Sequence, residues 1–115
     1  MDTRKRPETL VMDLTSRSLH NRYHLAAVIF DNWGIFSWGW NHDWTHAEIH
    51  AIRRANPKRL NGAIIIVAGV RGYTGRILLA KPCAMCLQSI RNAGIKRAVY
   101  SDPNVSRRWN ALTRF

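Results

Sequence analysis

The chain has 115 residues, 46% of them apolar, which suits one folded unit with a real core and leaves no room for a second domain of ordinary size. Eighteen Lys+Arg against seven Asp+Glu give a formal charge of +11, an excess that points to polyanionic partners; no apolar run approaches the length a membrane span needs. The opening residues, MDTRKRPETL, lack the apolar stretch of a secretory signal, so cytoplasmic residence is expected.

Pro7 to His20 carries Leu10, Val11, Leu14 and Leu19 at near-helical spacing behind a proline suited to a first turn, predicting a first helix. His24–Phe30 reads as a buried strand, DNWG as a turn and Ile35–Trp40 as the returning strand of a hairpin that ends at Asn41. Thr45 is suited to cap a helix starting at His46 and stopped by Asn56-Pro57. Ala63–Val70 is a continuous apolar run, of the kind found where both faces of a sheet are covered. RGYTGR turns the chain, Pro82 and Gly94 bracket a helix over CAMCLQSIRNA, and Ile95–Ser101 looks like a further strand. The ends, residues 1–7 and 103–115, read as flexible basic segments, the second alternatively as a short amphipathic helix. The order predicts one α/β domain over residues 1–115, three layers α-β-α around a mixed sheet of four to five strands.

Two stretches carry chemistry. WTHAEIHAI puts His46 and Glu48 in the first turn of one helix, and KPCAMC puts Cys83 and Cys86 at the start of another. Sulfurs at i and i+3 of a helix start face one side, and unpaired N–H groups there favour thiolate. Cys-x-x-Cys alone would be a redox pair or half of a structural zinc site. With an imidazole from a second helix it becomes three ligands with a fourth position open, the pattern of a catalytic zinc. His50 shares a face with His46, but HAEIH is not the metalloprotease pattern, so His50 is read as supporting or surface.

His-x-Glu followed by Pro-Cys-x-x-Cys is the pattern of zinc nucleobase deaminases. In HAE at 46–48 and PCAMC at 82–86 the chain resembles the cytidine deaminase-like superfamily, from about Leu25 to Ser101. GWN, HAEI and PCAMC are similar to tRNA adenosine deaminases, while AGIKRAVYS is similar to deoxycytidylate and small phage-type cytosine deaminases. The resemblance implies one Zn2+ per chain on His46, Cys83 and Cys86, with Glu48 as the catalytic residue that moves protons between water, ring nitrogen and departing ammonia. It also implies substrate contacts at Asn41 and Ala47. Trp44 and, on the RGYTGR loop, Tyr73 are candidates to stack on a base, against a packing role for the first. Only HDWT separates Asn41 from His46, so one pocket wall is shorter than in tRNA adenosine deaminases.

Arg53, Arg54, Lys58 and Arg59, with Arg71, Arg76 and Lys81, would form a groove for a phosphate backbone if they ring the metal; otherwise they are a solvated basic face. The reading that follows is a hydrolytic deaminase turning cytosine into uracil in single-stranded DNA or RNA, or else in a cytidine nucleotide. The alternatives are a tRNA-type adenosine deaminase and a zinc-stabilised nucleic-acid-binding module without catalysis. A homo-oligomer is expected, because so small a sheet buries little.

Overall fold

The computed structural model describes residues 2–113. Pro7 occupies the first turn of α1 (Pro7–Leu14), and Leu10, Val11 and Leu14 form its buried stripe. The helix is shorter than its apolar spacing predicts. Thr15 Oγ1 donates to Met12 O at 2.6 Å, residues Thr15–Arg17 tighten into a 3-10 turn, and Ser18 is already extended.

β1 (Tyr23–Asp31) and β2 (Gly34–Trp40) form the expected hairpin. β3 (Ile64–Arg71) pairs antiparallel with β1 from Tyr23↔Arg71 to Phe30↔Ile64, and parallel with β5 (Arg97–Ser101) from Ile64↔Arg97 to Val67↔Tyr100. β6 (Trp109–Leu112) lies antiparallel on β5, and the two-residue β4 (Ile77–Leu78) pairs with the end of β3. The sheet order is β2-β1-β3-β5-β6, with β4 off that path.

α2 (Ala47–Arg54) and α4 (Ala84–Asn92) cover one face, where Ala47, Ala51 and Ile90 pack with Ile65, Val67 and Ala98. α1 covers the other, against Ala26, Val28, Ile66 and Ala68. The alternating sides of β3 therefore enter two separate cores, which is why its sequence is apolar throughout. The three layers and the mixed sheet are as expected; the strand count is not, since β4 and β6 bring it to six. Residues 103–113 are thus neither a helix nor wholly a loose tail: Trp109–Leu112 completes the sheet edge, and Arg114 and Phe115 lie outside the described residues. Likewise Pro7 belongs to α1 and not to a flexible end. No helix among the described residues is long and apolar enough to cross a membrane.

Asn56-Pro57 ends α2 as expected, and Asn56 Oδ1 then accepts the Lys58 N–H at 3.0 Å to cap a one-turn helix, α3 (Pro57–Leu60). Between β2 and α2 there is no space for a side chain at Gly39. A Cβ there would lie 2.6 Å from Ala51 N and 2.9 Å from Ala47 O, both backbone atoms. Ser37 reinforces the contact by donating to Ala51 O at 2.6 Å. Gly39→Ala is expected to push α2 off the sheet and destabilise the fold by about 1–3 kcal/mol, the usual size of an overpacking cost. Thermal unfolding measures it, and unchanged stability would show that α2 does not depend on this contact.

Candidate metal centre and active site

Asn41 follows β2 and closes it, its N–H donating to Leu25 O at 3.1 Å. The chain then makes a tight turn in which His42 and Thr45 exchange backbone bonds of 3.1 and 2.8 Å, with Asp43 in the left-handed region at φ 46°. That pairing removes Thr45 from the expected capping position. His46 takes it instead, with extended backbone at φ −72° and ψ 152°, and α2 starts one residue later, at Ala47. The His46 side chain makes no capping bond and is turned toward the cysteines.

Cys83 stands at the same place in α4, immediately after Pro82, and Cys86 lies buried in the first turn. His46 Nδ1 is 3.2 Å from Cys86 Sγ and 3.9 Å from Cys83 Sγ, and the three donor atoms all lie within 4.8 Å of one another. Zinc bonded to sulfur at about 2.3 Å and to nitrogen at about 2.0–2.1 Å in a tetrahedron sets donor separations of about 3.5–3.8 Å. The observed spacings bracket that range, so the residues fit the ion. Among the described residues no further His, Cys, Asp or Glu joins the group. A fourth tetrahedral position is therefore left to a non-protein ligand.

The electrostatics point the same way. Glu48 is only 5% exposed, and burial raises its carboxyl above the ordinary range. Burial and the neighbouring Glu48 push the Cys86 thiol far up. The N-terminal turn of α4 favours thiolate, but alone it does not overcome that desolvation. A divalent cation between the donors reverses the balance, because it stabilises each negative charge that the site crowds together.

His50 Nδ1 accepts the Trp40 N–H at 3.1 Å, and its ring meets those of Trp40 and His42 edge-on. Burial lowers its pKa, and the ring braces the turn before His46 without approaching the sulfurs as a ligand. Asn41 is heavily engaged. Its Oδ1 accepts from Ser18 Oγ and, at 3.0 Å, from Leu25 N, while Nδ2 donates to Tyr23 O at 2.9 Å. One Nδ2 hydrogen remains, so the contact expected of Asn41 with substrate is limited to that donor. Ser18, the partner across 23 positions of sequence, carries no local pattern that would have revealed it.

Ala47 is fully buried at the first position of α2, where its backbone N–H has no partner within the helix. Trp44 is 99% exposed beside His46, so its ring belongs to no core. Tyr73, 89% exposed, lies on the turn after β3, at the sheet end where β1 begins and β2 finishes. The basic residues at the end of α2 and after it do not ring the metal. Arg59 binds Asp31 at 2.7 Å at the far end of the hairpin and covers Phe36, and Arg54 lies over Trp38 and Trp40. Eight residues of α2, about 12 Å, separate that group from His46.

A mixed sheet with two helix starts meeting over one end, carrying His and Cys-x-x-Cys, is the arrangement of the cytidine deaminase-like superfamily of zinc enzymes. The chain belongs to the family described as cytidine and deoxycytidylate deaminase zinc-binding region, whose model matches residues 3–102. Zinc is accordingly the ion that this donor set suits. Similar solved structures include RibD of Acinetobacter baumannii, 20% identical with TM-score 0.64 over 83% of this chain. A second is the diaminohydroxyphosphoribosylaminopyrimidine deaminase/5-amino-6-(5-phosphoribosylamino)uracil reductase of Thermotoga maritima, 25% identical with TM-score 0.63 over 85% of this chain. The chain spans only 26% and 29% of those two proteins. The dCMP deaminase of cyanophage S-TIM5 is 20% identical with TM-score 0.63, and the match covers 84% of this chain and 85% of that one. No curated protein matches significantly.

Purified chain is expected to hold about one zinc, and Cys86→Ser or His46→Ala to bring it well below that while lowering the unfolding temperature, because ligand binding to the folded state is folding energy. Metal analysis beside thermal unfolding reads both, and full zinc content in either variant would refute the ligand set. Asn41→Ala strands the half-buried Leu25 N–H and the buried Ser18 hydroxyl, so a stability loss of about 1–3 kcal/mol is expected. A variant as stable as the parent would mean that Asn41 serves substrate alone.

Proposed function

We propose that the chain is a hydrolytic deaminase that converts cytosine to uracil in single-stranded nucleic acid. The observation that carries this reading is the openness of the metal centre. His46 and Cys83 are exposed, Trp44 two positions before His46 is 99% exposed, and a hollow of about 600 Å³ between Leu19–Tyr23 and Asn41–Asp43, the turn that leads into His46, opens to solvent. Such a rim admits a base still attached to a strand, and an exposed indole offers it a stacking surface.

His46, Cys83 and Cys86 would hold the zinc, which when bound supplies Lewis acidity that makes water nucleophilic near neutral pH. Glu48 does the proton work. Its buried carboxylate takes a proton from water, gives it to ring N3 beside the attacked C4, and passes the next to the departing amino group, so that water enters and ammonia leaves. Burial suits the task, because it raises the carboxyl above the ordinary carboxylate range and so eases proton uptake by the same group that later releases it. The Ala47 N–H and the free Nδ2 hydrogen of Asn41 are donors available to orient the base. Tyr73 is proposed to stack on a neighbouring nucleotide.

A free cytidine nucleotide is the second reading, supported by the likeness to a phage dCMP deaminase along most of both chains. A panel of single-stranded DNA, single-stranded RNA, dCMP, cytidine and tRNA, scored for ammonia release and base change, separates the readings. The strand substrates should turn over fastest. Preference for dCMP would favour the nucleotide reading, and inosine formation in tRNA the adenosine-type one. Glu48→Ala should keep its zinc and lose at least about 10²- to 10⁴-fold in turnover. A parent protein with bound zinc and no turnover on the whole panel would instead mark a binding module.

A further inference from the structure

Outside the metal centre but at the same end of the sheet, the turn between β3 and β4 and the connection between β5 and β6 face each other across a hollow of about 1140 Å³. Ser101 Oγ clips the two sides together, accepting the Gly69 N–H at 3.1 Å and donating to Leu78 O at 2.7 Å. Arg71, Arg76 and Arg108 line the hollow with Thr74 and Ser106, and no Asp or Glu does. The ion pairs found among the described residues use other cations, Arg4, Lys5, Arg6 and Arg59, so these three guanidiniums are unneutralised. Arg108 is also held in the left-handed region at φ 64°, a backbone state costly for any residue with a side chain. Its N–H donates to Val105 O at 3.0 Å and its carbonyl accepts from Asp102 N at 2.9 Å, which fixes that conformation. Thr74 Oγ1 accepts the Arg76 N–H at 3.3 Å and keeps its own proton to give.

We propose that this hollow binds the phosphodiester backbone of a single strand whose base is presented to the metal centre. The inference rests on the strand reading above and names the surface that would hold the flanking nucleotides. Three like charges around one depression repel each other, and an anion between them removes that repulsion. Guanidinium forks and hydroxyls are the donors that phosphate oxygens accept from. The volume exceeds the range of about 300–1,000 Å³ usual for a small ligand, which favours a length of chain over one phosphate. From Leu78, on the rim, to Cys83 is five residues, at most about 17 Å, so one strand can reach both.

The probe is a labelled oligothymidylate of about ten nucleotides, within the usual single-strand site sizes. It contains no cytosine, so its binding to the zinc-loaded chain is read without turnover. Affinity is measured against salt for the parent, for Arg76→Gln/Arg108→Gly and for Arg71→Gln/Arg76→Gln. Glycine suits the positive φ at 108, and zinc content with thermal unfolding checks that each variant is folded. Losing two phosphate contacts should reduce the slope of log affinity against log salt by about 1.4, at about 0.7 per contact, and weaken binding at least tenfold at low salt. An unchanged slope in a folded variant overturns the proposal. So does a raised KM for dCMP with the oligonucleotide slope unchanged, since the hollow would then hold a nucleotide's own phosphate. If the slope falls while the parent deaminates no strand, the hollow stands and the strand-deaminase reading falls.

Discussion

The placement of every site residue depends on the direction in which the chain crosses its sheet. β2 and β3 both run antiparallel to β1 and therefore parallel to each other, and β3 runs parallel to β5. The β2-α2-β3 and β3-α4-β5 connections move the same way along the order β2-β1-β3-β5. Crossovers of one hand moving one way must put both helices on the same face. Each helix also starts over the end at which its preceding parallel strand finishes, where ligands of open α/β sheets collect. His46 and Cys83 stand at those two helix starts, so chain topology brings the donors of residues 46 and 83–86 together. Gly39 lets α2 approach closely enough for the meeting to occur.

That convergence carries an electrostatic cost that explains the metal. A buried carboxyl, a buried thiol and a second thiol beside one imidazole cannot all ionise in a low-dielectric site on their own. A cation makes the ionised cluster stable and leaves Glu48 as the buried acid beside it that is outside the donor set. Geometry gives neighbours two positions apart different surroundings: His46, at the cap, faces the sulfurs, while Glu48, inside the helix, is buried against Cys86.

The metal site was legible in the sequence because its pattern is local: two short motifs, each at a helix start, with Pro82 and Gly94 marking the second helix. The apolar run of β3 likewise announced a strand covered on both faces. What escaped depends on long-range pairing or on competition between local options. β6 is four residues, WNAL, with no alternation strong enough to stand out from a basic tail, and β4 is two residues, too short for any pattern, that pair with the end of β3 and accept a bond from Ser101. Thr45 is a good cap by type, but its backbone is committed to His42. Asn41 resembled a substrate contact, and the structure adds a holding role through Ser18, Tyr23 and Leu25 that no spacing rule predicts.

The same distinction governs the charge. A count of +11 treats all basic residues alike, whereas the fold divides them. Arg17 and Arg54 lie over the Trp40 ring, and Arg59 is bound to Asp31 above Phe36, so these side chains act as covers for half-buried aromatics. Their heads still contribute to the long-range field that draws a polyanion in, but their positions are set by packing. Arg71, Arg76 and Arg108 have no such occupation, and they stand at the sheet end where the metal donors meet. The fold thus separates basic side chains held in place over aromatics, toward one end of the sheet, from three at the other end that have no such contact.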